Sequence, residues 1–129
     1  MTDETTPELL RFIRGECDPA DFPHREHVRM GFEMLRRHDF TEASLHYCRA
    51  LQAMSKRAGR PQAFHLTITL AFLSLIAEGT VAGEAESFER FACRNVRLFD
   101  KGLLRRHYSP ERLASDTARQ TFLLPDLAP

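Results

Sequence analysis

The stretch 63–77, AFHLTITLAFLSLIA, limits most strongly what this chain can fold into. It is apolar on nearly every side of a helical projection, and it lies between Pro61 and Gly79. At about 15 residues it is short for a bilayer, whose hydrocarbon core takes about 20. A helix that is apolar all round belongs among other helices. The rest of the chain must therefore cover it. With 129 residues, the chain buries roughly two-thirds of its unfolded surface, which suits one core and not two. Hydrophobic residues at 43% and charged residues at 28% fit a globular protein and exclude a disordered chain, a collagen and a disulfide scaffold.

Punctuation residues divide the remainder into helices. Thr6, Pro7 and Gly15 read as N-cap, first residue and stop of a helix over 7–14. Further helices are predicted over 24–38, 41–58 and 62–78. Asp39 and Glu42 resemble a capping box for the third, and Gly59 with Pro61 ends it. A turn over 78–84 leads to a fifth helix over 84–94, with Phe88, Phe91 and Ala92 on one face. A short helix over 98–107 follows, and Ser109 caps a last one that opens with Pro110 and Glu111. The tail from 121 is apolar, contains two prolines and is expected to lie extended. No segment alternates with a strand period. The expected fold is all-α, a single domain over 1–129 built as a bundle of five to seven helices with an extended C-terminal tail.

Charge and cysteine usage narrow the function classes. Eighteen basic and 18 acidic residues cancel, which gives no reason to expect nucleic acid or an anionic membrane as partner. The basic run Arg94, Arg97, Lys101, Arg105 and Arg106 is interleaved with or preceded by acidic residues and reads as a solvated face. Cys17, Cys48 and Cys93 are odd in number and widely spaced, as in a reducing compartment. The opening MTDETTPELLRF lacks the basic and apolar regions of a signal peptide. A cytoplasmic protein is expected.

The histidines carry the chemistry. His24 and His27 stand at i and i+3 in the first turn of the second helix, on the face that also carries Val28, Gly31, Met34 and Leu35. The positive helix end favours neutral imidazole, the form a metal binds. His65 shares a stripe with Thr69, Phe72 and Ile76 on the fourth helix. If the two helices are neighbours, three imidazoles converge and leave an open coordination position, as in catalytic zinc sites. One divalent transition metal ion is expected there, and zinc, iron, copper and nickel all suit imidazole. Glu-x-x-His and HExxH are both absent, which excludes a di-iron carboxylate bundle and a zincin. Thr69 either bonds a backbone carbonyl or points its hydroxyl into a pocket. Tyr108 either serves as an acid or buries its ring and leaves its hydroxyl wet.

Three segments, DFPHREHVRMGFEML, AFHLTITLAFLSLI and HYSPERLASDTARQTFLLPDL, resemble a group of small, uncharacterised all-helical bacterial proteins with F-x-H-x-x-H and (Y/F)-H-x-T-I-T motifs. The resemblance implies no activity. It points to His24, His27, His65, Thr67, Thr69, Ser115, Arg119 and Asp126. Phe64 stands where the pattern has Tyr. Arg119, one helical turn past Ser115, is expected either to hold a substrate carboxylate or phosphate or to clamp the tail through Asp126.

Two functions follow as expectations. One is a metal-binding protein, acting as a mononuclear enzyme on a small molecule through His24, His27 and His65, with Thr69, Arg119 and Tyr108 contacting the ligand. The other is a non-catalytic helical interaction or dimerisation module, in which the histidines are structural and the tail docks on a partner or a second copy.

Overall fold

The structure, a computed structural model, describes residues 6–81 and 85–127. Among these residues there are seven α-helices and no strand, as the all-α expectation requires. They are α1 (Pro7–Ile13), α2 (His24–Arg37), α3 (Phe40–Arg57), α4 (Leu66–Gly79), α5 (Phe88–Arg94), α6 (Pro110–Ala114) and α7 (Asp116–Gln120). Short 3₁₀ turns lie at Pro19–Asp21, Pro61–Ala63, Val96–Phe99 and Leu103–Arg106. No helix among the described residues is long and apolar enough to cross a membrane. The chain divides into two compact units, one up to Phe64 and one from His65 onward.

In the N-terminal unit, side chains start α1 and α3 and glycines stop them. The Thr6 hydroxyl accepts the Leu9 N–H, and the Asp39 carboxylate accepts the Glu42 N–H at 2.9 Å. Gly15 and Gly59 end α1 and α3 with φ of 69° and 74°. At each, crossed backbone bonds close a Schellman turn, Glu16 N–H to Arg11 C=O and Arg60 N–H to Ser55 C=O, both 2.9 Å. Leu9 and Phe12 of α1, Val28 and Met34 of α2, and Ala43, Tyr47, Ala50 and Met54 of α3 are buried. Phe12 stacks on Phe22 at 5.4 Å and meets Tyr47 at 5.6 Å. The Tyr47 hydroxyl donates to the His27 carbonyl at 2.8 Å, and burial pushes its pKa far above the usual phenol range. A Glu33–Arg37 pair at 2.7 Å spans one turn of α2.

The C-terminal unit departs further from the sequence reading. α4 starts at Leu66 rather than 62, because Phe64 and His65 have extended backbone. α5 starts at Phe88, capped by Ser87. Glu84 and Gly83, assigned to the helix start and the turn, lie outside the described residues, as do the last two residues of the tail. The helix expected over 98–107 is a pair of 3₁₀ turns. The last helix breaks at Ser115, whose ψ of 149° ends α6 while its hydroxyl caps α7. α4 packs against α7 and against the turns Val96–Phe99 and Leu103–Arg106. Arg94 closes the far end of α4 by donating to the Gly79 carbonyl at 3.0 Å while paired with Glu86.

The stop glycines differ in their surroundings. A Cβ on Gly15 would lie 2.5 Å from the Ala53 Cβ, whereas one on Gly59 meets nothing within 4 Å. Gly59→Ala should cost about 1–2 kcal/mol, the left-handed backbone penalty alone. Gly15→Ala should cost clearly more, because α1 must also move off α3. Urea denaturation of both variants checks the order.

Candidate functional site

The chemistry-bearing residues of the C-terminal unit gather where the first turn of α4 meets the end of the chain. His65 is the N-cap of α4. Its Nδ1 accepts the Ile68 N–H at 3.1 Å, and its Nε2 donates to the Leu113 carbonyl at 2.7 Å. An N–H can only donate and a carbonyl can only accept, so the ring is neutral with its proton on Nε2. The residue is 8% exposed, and both nitrogens are committed to backbone.

The expected three-histidine metal centre is therefore corrected. Among the described residues no group of three or more His, Cys, Asp or Glu side chains is able to hold a metal ion. His65 has no lone pair to give, because capping uses it. His24 and His27 do lie side by side on α2, with ring centroids 6.5 Å apart, as their spacing requires. The edge of one ring meets the face of the other between Phe22 and His27, at 4.6 Å. This pair belongs to the N-terminal unit and His65 to the C-terminal one.

One turn of α4 instead organises the tail. The Thr67 hydroxyl is fully buried. It donates to the Thr121 carbonyl at 2.7 Å and accepts the Leu123 N–H at 3.1 Å. The Tyr108 hydroxyl donates to the Leu123 carbonyl at 2.7 Å. Arg112 Nε donates to the Leu124 carbonyl at 2.7 Å. Asp126 accepts the Ser109 N–H at 2.8 Å and the Ser109 hydroxyl at 2.6 Å. The Leu127 N–H donates to the His107 carbonyl at 3.0 Å. The tail is thus an extended strap, as expected, pinned along its length.

The proposed ligand-contacting residues are placed as follows. The Thr69 hydroxyl donates to the His65 carbonyl at 2.7 Å, one turn back along its own helix. Tyr108 holds the strap and is buried, which raises the pKa of its hydroxyl. Arg119 is exposed on α7. The hydrogen bonds to Asp126 come from Ser109, and the arginine whose charge acts on it is Arg112. Sequence reasoning missed Arg112 and the Ser109–Asp126 lock. Ser109 was legible as a cap, but nothing in the spacing showed that its hydroxyl also donates to a carboxylate 17 residues away.

The strap yields two tests. Thr67→Val keeps the shape but leaves the Thr121 carbonyl and the Leu123 N–H without partners. It should cost about 1–3 kcal/mol and speed amide exchange at Leu123, read by thermal melting and NMR. The Ser109 hydroxyl, its N–H and the Arg112 charge lower the pKa of Asp126. The bond they form is complete above the ordinary carboxylate range and is lost as pH falls through the lowered value. Protection of the Leu127 amide should fall in that acid window in the wild type and show no such step in Asp126→Asn.

Compared with known proteins, the chain matches no family model, no curated protein and no solved structure.

Proposed function

We propose that this protein is an interaction module whose strap docks on the strap of a second copy. One observation carries the reading. The strap is pinned in place, yet Phe122, Leu124 and Leu127 are 40%, 69% and 41% exposed. An apolar segment that is merely flexible loses entropy on binding, whereas a pinned one has already lost it.

The backbone supports the choice of partner. The Thr121 carbonyl and both groups of Leu123 turn toward Thr67 and Tyr108. In an extended chain the intervening residue turns the opposite way. The N–H and carbonyl of Phe122 accordingly have no hydrogen-bond partner among the described residues. Such a residue pairs with its own copy in antiparallel register, exchanging both bonds around a two-fold axis. Arg112 occupies the Leu124 carbonyl, and Pro125 has no N–H to offer. The free edge is therefore short. A short edge suits closed two-fold pairing better than a long added strand. The contact belongs to the small, weak class of interfaces. Unpaired Cys17, Cys48 and Cys93 support a cytoplasmic setting.

Sedimentation equilibrium over a roughly hundredfold concentration range tests the proposal, since a weak dimer fills gradually by mass action. The wild type should shift from monomer toward dimer, and Phe122→Ser with Leu124→Ser should remain monomeric with unchanged helical circular dichroism. A wild type that is monomeric throughout overturns it.

A further inference from the structure

We infer that His65 is an acid-sensitive latch: protonating its ring uncaps α4 and releases the strap. The inference borrows the docking role of the strap only for its consequence, since the release is a property of the isolated chain.

The geometry requires a neutral ring. Nδ1 accepts from Ile68 and Nε2 donates to Leu113. An imidazolium has an N–H on both nitrogens and no acceptor. Protonation therefore sets a second N–H against the Ile68 N–H and removes the cap. It also places a buried positive charge at the positive end of a 14-residue helix. Among the described residues the ring makes hydrogen bonds to backbone groups only. The charged residues on the surrounding elements of this unit are Glu78 on α4, Arg97 and Arg105 and Arg106 on the 3₁₀ turns, Glu111 and Arg112 on α6, and Asp116 and Arg119 on α7. None of them bonds the ring.

The same turn holds the strap. Thr69 ties its hydroxyl to the His65 carbonyl, and Thr67, between the two, grips Thr121 and Leu123. The Leu113 carbonyl that His65 holds lies in α6, the helix whose cap locks Asp126. Loss of the Nδ1 cap loosens the turn that carries Thr67, while the Nε2–H of the charged ring keeps its bond to the Leu113 carbonyl.

Amide exchange of residues 121–127, corrected for intrinsic rates and measured on dilute monomer between about pH 7.5 and 5.5, tests the latch. Protection in the wild type should fall about fivefold or more, the size of a lost N-cap. His65→Asn, whose side-chain oxygen caps without titrating, should show no pH-dependent fall. A parallel NMR titration of the wild type should give the His65 ring and the Leu123 amide the same midpoint. An equal fall in both proteins, no fall in the wild type or separate midpoints overturns the latch. Because the chain is read as monomer, that failure leaves the docking proposal standing, and a protein that never dimerises leaves the latch standing.

Discussion

The neutral imidazole of His65 is the contact on which the C-terminal unit depends. Helix α4 is strongly apolar, and its buried first turn must still satisfy N–H groups that have no partner within the helix. His65 takes one of them with Nδ1, and with Nε2 it reaches the Leu113 carbonyl of α6. A single side chain thus begins one helix and fixes another. Thr67 and Thr69 extend the arrangement without adding charge. Each hydroxyl takes up a backbone carbonyl, and Thr67 serves an N–H as well. No buried side-chain polar atom among the described residues is left without a hydrogen-bond partner. The turn is polar in composition and saturated in bonding, which is why it is a fastening and not a coordination sphere.

The N-terminal unit is held by different means. Its helices α1 and α3 end in Schellman turns, and aromatic rings fill its interior, with Phe12 between Phe22 and Tyr47. Its long-range polar tie is the Tyr47 hydroxyl on the His27 carbonyl, 20 residues apart. The C-terminal unit places a titratable ring at its centre.

Much of the architecture was legible in the sequence, since caps and stops are local. Thr6, Asp39, Gly15 and Gly59 perform the roles their types imply. The His24–His27 neighbourhood followed from spacing alone. The failure at His65 is physical. Read by periodicity, the apolar run continues back to 62 and puts His65 inside the helix, where a ring is free to coordinate. The extended backbone of Phe64 and His65 moves the helix start by one turn and converts a candidate ligand into a cap. Ser115 shows the same sensitivity. Extended backbone at that position splits the last helix in two, so Ser115 and Arg119 are not a pair on one uninterrupted helical face. Contacts made across long separations, such as Ser109 with Asp126, leave no local signature.

The separation between Thr67 and its partners has a consequence for synthesis. Its hydroxyl closes on residues 54 and 56 positions downstream. α4 is made long before the strap exists, so on the ribosome its first turn must wait as a polar patch on an apolar rod. The C-terminal unit closes only when residue 123 arrives. A chain cut before Thr121 presents α4 with the Thr67 hydroxyl parted from both of its strap partners.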